Sequence, residues 1–168
     1  MRKILLSLFV ILCVDICYSQ TSDTGIKSNH SISLSTFGAE YGYEQHLKDN
    51  WSLIGRLGVT SNTIELISTA YQLKMAIHLT PSVSLEPRLY TSIKRRQALN
   101  RNTDNNSSDF VSIRINCMPF ADQYSLIPLY GMRRSESKHW FHEFSFGPCW
   151  IIGKGLTPYC NFRVGYLF

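Results

Sequence analysis

Eight ionisable side chains lie inside stretches that otherwise alternate apolar with small polar residues: Glu40, Glu44, Arg56, Glu86, Arg88, Arg114, Glu143 and Arg163. A carboxylate or guanidinium held away from water is tolerated when an opposite charge and hydrogen bonds satisfy it. Charges of both signs at mid-strand therefore point to mutual neutralisation across neighbouring strands of a narrow, closed interior. Proton transfer and metal chemistry have weaker support. The histidines His30, His46, His78, His139 and His142 have no metal-ligand spacing with a Cys or a carboxylate, so no metal site and no cofactor are expected. His139 and His142, three apart, fall on opposite faces of a strand. Either one beside a serine could be drawn as a lipid-modifying site, but serine is abundant here and the pattern has little specificity, so the expectation is a protein that is not an enzyme.

The elements that must position these charges are strands. In the closing stretch, Cys160, Phe162, Val164, Tyr166 and Phe168 alternate with Tyr159, Asn161, Arg163 and Gly165, which is a strand period. Upstream, the same period runs from His30 to His46 with a phase slip near Thr36, read as a bulge or short break. Lys48-Asp49-Asn50 forms a turn, and Trp51 to Thr60 is the second strand. After a break at Ser61-Asn62-Thr63, a third strand lies within Glu65–Leu79, Thr80-Pro81-Ser82 turns the chain, and a fourth strand runs from Val83 to about Lys94. Arg95 to Ser108 reads as a polar loop. Asp109–Cys117 is the fifth strand, and Tyr124–Arg133 is a less regular sixth with Pro128 inside it, a residue suited to sheet edges or bulges. The seventh carries Trp140, Phe144, Phe146 and Trp150. No helical period occurs after the leader. The expected fold class is all-β, an eight-stranded antiparallel up-and-down barrel in one domain, residues 20–168.

Residues 1–19 read as a secretory signal peptide: Arg2 and Lys3, an apolar run from Ile4 to Val14, and small residues leading to a cut after Ser19. Asp15 ends the run well short of the roughly 20 apolar residues of a spanning helix. Lipidation at Cys17 is disfavoured, because Val14-Asp15-Ile16 lacks the small residues such a site uses. Removing the leader takes 17 Lys and Arg to 15 and 12 Asp and Glu to 11, a net charge of +4. No basic run suggests nucleic acid. Cys117, Cys149 and Cys160 remain, and Cys149 and Cys160 fall on opposite faces, so no structural disulfide is expected.

Alternation by itself leaves open which face meets which solvent. Five lysines, Lys27, Lys48, Lys94, Lys138 and Lys154, occupy turns or strand ends, and Lys74 alone is at mid-strand. Trp51, Trp140, Trp150, Tyr166 and Phe168 lie near strand ends, where interfacial aromatic girdles sit. Phe144, Phe146 and Phe162 join them on the face expected to meet lipid. The segments Ser84-Leu85-Glu86-Pro87-Arg88-Leu89-Tyr90, Lys94-Arg95, Asn102-Thr103-Asp104-Asn105-Asn106-Ser107, Pro128-Leu129-Tyr130-Gly131-Met132-Arg133-Arg134 and Gly165-Tyr166-Leu167-Phe168 resemble small secreted outer-membrane β-barrel proteins of the Bacteroidetes type. That resemblance implies an eight-stranded transmembrane barrel in the bacterial outer membrane. It also implies outer-membrane lipids around the wall and recognition of the strand ending at Phe168 by the barrel-assembly machinery, and it carries no defined activity.

The first expectation is thus a non-enzymatic barrel with a polar, side-chain-filled lumen and a structural or surface-interaction role. An open pore is not expected from so few strands. The rivals are a secreted soluble lipocalin-like barrel holding a small hydrophobic ligand, and a lipid-modifying barrel enzyme. Strand counting puts the Arg95–Ser108 loop at the end that carries both termini, the periplasmic end of an outer-membrane barrel, where turns are ordinarily short. Nothing in the chain specifies an oligomeric state.

Overall fold

A computed structural model of the chain describes residues 26–69 and 72–168, and side chains outside 62–77. The expected leader, the first residues after it and the side chain of Lys74 lie outside the described residues. Eight strands close into one antiparallel barrel in sequence order: β1 (Asn29–Ser35), β2 (Gly38–Lys48), β3 (Trp51–Thr69), β4 (Gln72–Tyr90), β5 (Asp109–Met118), β6 (Gln123–Ser135), β7 (Trp140–Ile151) and β8 (Gly155–Leu167). Closure is made by β1 against β8, from Ser31 opposite Leu167 to Ser35 opposite Arg163. The cylinder thereby has no free edge along its length.

The expected strand count holds, but the boundaries inside the first half differ. The phase slip near Thr36 is a complete reversal: Ser35 pairs with Gly38 and Ile32 with Tyr41 across a two-residue turn. Such a turn exchanges odd for even outward positions, so it mimics a bulge in sequence. Conversely, Ser61-Asn62-Thr63 does not end a strand. It is a bulge within β3, where the register shifts between Ser61 and Thr63. Thr80-Pro81-Ser82 is likewise strand, opposite Thr60, Val59 and Gly58. Pro81 is tolerated because the pairing of β4 with β5 begins only at Val83, so its missing N–H faces no neighbour. Past Thr60, β3 and β4 continue as a two-stranded ribbon beyond the barrel wall.

Four prolines, Pro87, Pro128, Pro148 and Pro158, sit inside strands of the wall itself. Ladder pairs between β4 and β5 skip from Leu85–Ile115 to Arg88–Ser112 around Pro87, and those between β6 and β7 skip from Leu126–Trp150 to Tyr130–Phe146 around Pro128 and Pro148. Each gap follows from the absent donor. At Gly131 an added Cβ would collide with the Phe110 ring, and at Gly165 with the ring of Phe141. Both glycines let an inward aromatic lie flat on the neighbouring strand.

The expectation that no helix follows the leader is corrected. Ile93–Ala98 forms a short helix, α1, inside the loop between β4 and β5. At six residues it is too short to display a 3.6-residue pattern, and Ile93 is its single buried residue. Ile93 packs with Ile26, Tyr90 and Phe110 in a small apolar cluster across the termini end of the barrel. The loop does lie, as counted, at the end of the barrel where β1 begins and β8 finishes. The extra hairpin at Thr36 and the single hairpin formed by the stretches read as strands two to four leave its parity unchanged.

Candidate functional site: the charged lumen

Strand alternation sends all eight predicted charged residues inward. Glu44, Arg56, Glu86, Arg88, Arg114, Glu143 and Arg163 are buried, and Glu40 is nearly so. Beside three of the arginines lie small residues. Arg56 stands between Gly42 and Ser84, Arg88 between Ser52 and Ser112, and Arg163 faces Ser35. Those small neighbours supply the volume that long guanidinium side chains need within a narrow cylinder.

Two carboxylates organise the network. Glu86 accepts from Arg56 Nη1 at 2.6 Å, Arg88 Nη2 at 2.6 Å and Arg114 Nε at 2.9 Å. Glu143 accepts from Arg88 Nη1 at 2.7 Å, Arg133 Nε at 3.0 Å and Arg163 Nη1 at 2.5 Å. Arg88 therefore bridges both carboxylates, with its guanidinium carbon 3.6 Å from the centre of the Phe110 ring. Toward the termini, Glu44 accepts from Ser52 Oγ at 2.7 Å, Tyr90 Oη at 2.6 Å and Arg133 Nη1 at 2.7 Å. Toward the opposite end, Glu40 accepts from Arg163 Nη2 at 2.8 Å and lies 3.7 Å from Arg56 Nε. Charge-assisted, multiply bonded pairs of this kind hold ions in a dry interior, and removal of one member strands the others.

Arg133 belongs to this network and was not among the predicted residues. Its strand shows a blurred pattern because the inward positions Ile127 and Leu129 are apolar too, forming a buried cluster with Cys149. The usable signal was on the other face. Tyr124, Leu126, Tyr130 and Met132 are exposed, which puts Arg133 inside by parity, opposite Glu143.

The termini end is sealed by the loop between β4 and β5. Asn106 behaves as a strand partner through its side chain: Lys27 N donates to Oδ1 and Nδ2 donates to the Lys27 carbonyl, both at 2.9 Å. Asn105 Nδ2 reaches Ser135 Oγ and the carbonyls of Ser137 and Lys138. Both asparagines have positive φ, 54° and 62°, a backbone state asparagine accepts readily. The loop is thus fastened to β6, the β6–β7 turn and the N-terminal segment.

The outer wall carries the predicted aromatic and apolar residues. Trp51, Trp140, Phe146, Trp150, Phe162 and Phe168 are exposed, and Phe144 and Tyr166 are half-buried on the same surface. Trp140 packs edge-on against Tyr166, which packs edge-on against Phe168. His142 is on this surface too, its Nδ1 3.8 Å from Glu136 Oε1, and His139 Nδ1 lies 3.0 Å from the Leu167 carbonyl. Cys149 faces inward and Cys160 outward. Among the described residues no cluster of three or more His, Cys, Asp or Glu has metal-site geometry.

Comparisons with protein-family models, with curated proteins and with solved structures found no match for this chain.

Proposed function

We propose that the chain is an integral outer-membrane barrel, non-enzymatic, with a lumen closed by its own side chains and a structural or surface-interaction role carried by its ends. The observation that carries this reading is the inverted polarity of the wall. Among the described residues nine charged groups lie inside, the eight predicted ones and Arg133, while Leu34, Leu57, Ile113, Ile115, Trp140, Trp150 and Phe162 cover the outside. Apolar surface costs about 25 cal/mol per Å² in water, so an outer face of this composition is stable where acyl chains replace water. A lipocalin-like carrier needs an apolar chamber, and the middle of this lumen is filled by ion pairs.

The dimensions agree with a bilayer. Trp140 and Trp150 stand ten residues apart on β7. At about 3.3 Å per residue they are roughly 33 Å apart along the strand, and a tilt of about 35–45° reduces this to roughly 25 Å of height, the thickness of an outer-membrane apolar band. The termini end then faces the periplasm, and the β3–β4 ribbon projects from the cell. Outer-membrane lipids are the partners of the wall, and the aromatic at Phe168 suits recognition of β8 by the barrel-assembly machinery.

Membrane fractions from cells expressing the chain test this. The expected result is retention after carbonate washing and a gel mobility that changes on boiling. Recovery of the folded chain in the soluble fraction would contradict it.

A further inference from the structure

Opposite the sealed termini end, the lumen opens into a cavity of about 200 Å³ whose lining includes the charged residues Arg114 and Glu40. Arg114 lies four positions below Met118, the last residue of β5. We propose that this cavity binds a small monoanionic carboxylate with an apolar body, its head held by Arg114. The inference concerns the lumen alone and stands whether or not the wall meets lipid.

Three observations converge. First, Arg114 is 3% exposed and only partly satisfied: Nε donates to Glu86 and Nη1 donates to Tyr159 Oη at 3.0 Å, while Nη2 is buried with no partner. A buried charged donor without an acceptor is costly, and a ligand carboxylate is the acceptor it best fits. Arg163 Nε is also without a partner, but that side chain already holds both Glu143 and Glu40 and does not line the cavity. Second, the described lumen charges do not balance. Arg56, Arg88, Arg114, Arg133 and Arg163 face Glu40, Glu44, Glu86 and Glu143, leaving one positive charge in surplus. One negative charge removes the excess, whereas a dianion would overshoot it. Glu40 is the one carboxylate among the described residues that line the cavity, and its Oε2 is already taken by Arg163. Third, the lining sets the apolar side chains Phe37, Met118, Ile127 and Ile151 among small hydroxyl residues, and Phe37 stacks on Tyr159 with ring centres 5.5 Å apart. The cavity is below the roughly 300–1,000 Å³ of sites that bury drug-sized molecules, so the body is a single ring or a short chain.

Calorimetric titration of the purified full barrel with benzoate, benzamide and inorganic phosphate tests the assignment. Benzoate is expected to bind, the neutral isostere benzamide to bind roughly 10- to 100-fold more weakly for want of the charged hydrogen bond, and phosphate not to compete. Arg114→Lys keeps the charge and a partner for Glu86 but removes the free Nη2, and is expected to weaken benzoate by a similar factor. Ser125→Phe fills the cavity from β6 without touching the ion pairs, and is expected to abolish binding while heat-modifiable mobility stays that of the parent. Should Arg114→Lys fail to fold, Ser125→Phe decides. Equal binding of benzamide and benzoate, no heat with benzoate into the tens of millimolar, or undiminished binding to a folded Ser125→Phe barrel would each overturn the proposal.

Discussion

The inner and outer faces of the wall are made of the same strands, one residue apart. On β7, Phe141, Glu143, Ser145 and Cys149 are buried, while Trp140, Phe146 and Trp150 are exposed. The inner face is specific: each large ion has named partners, and a change at one position leaves another charge unpaired. The outer face is generic, and its contribution depends on the medium that touches it. A one-residue slip would exchange the two faces, so the network and the belt fix the same register from opposite sides.

The sharpest way to break this contrast is Glu86→Ala, which leaves Arg56, Arg88 and Arg114 short of their shared acceptor. Loss of one member of a buried ionic cluster is expected to cost about 3–5 kcal/mol, read from denaturant unfolding of the barrel in vesicles. Next in size is Ile113→Arg, at the middle of the exposed face of β5. It should cost roughly 2–4 kcal/mol in a bilayer, and a cost near zero would mean that this face meets water. Asn106→Ala removes the two bonds to the Lys27 backbone and should cost about 1–2 kcal/mol, with faster hydrogen exchange confined to the loop and the N-terminal segment. Smallest is Asp109→Asn. Its bridge to Arg134 at 2.5 Å lies at the rim with both side chains about a quarter exposed, so the change should stay below about 1 kcal/mol. A rim bridge as costly to lose as Glu86 would erase the distinction between a dry lumen and a wetted rim.

Much of this was legible from alternation. Period-two patterning identifies which side chains share a face, and it puts Arg88, Arg114 and Glu143 on the polar one. It does not identify which residues stand opposite one another. Hence the hairpin at Thr36 reads in sequence as a bulge or short break, and the bulge at Asn62 reads as the end of a strand, although the first reverses the chain and the second does not. Thr80-Pro81-Ser82 reads as a turn because the reason Pro81 is harmless, the end of the β5 ladder, is a tertiary fact. Arg133 escaped because Ile127 and Leu129 make both faces of β6 apolar. The unpaired Nη2 of Arg114 had no signal in the sequence at all, since it depends on how three strands share Glu86.

Tryptophan emission tests the central claim most directly, because Trp51, Trp140 and Trp150 are the chain's three tryptophans and all face outward. In vesicles of brominated lipids the account predicts blue-shifted fluorescence that is strongly quenched, more by bromines near the headgroups than by those at the acyl-chain ends. Unquenched, water-like emission from a folded barrel in the same vesicles would contradict it.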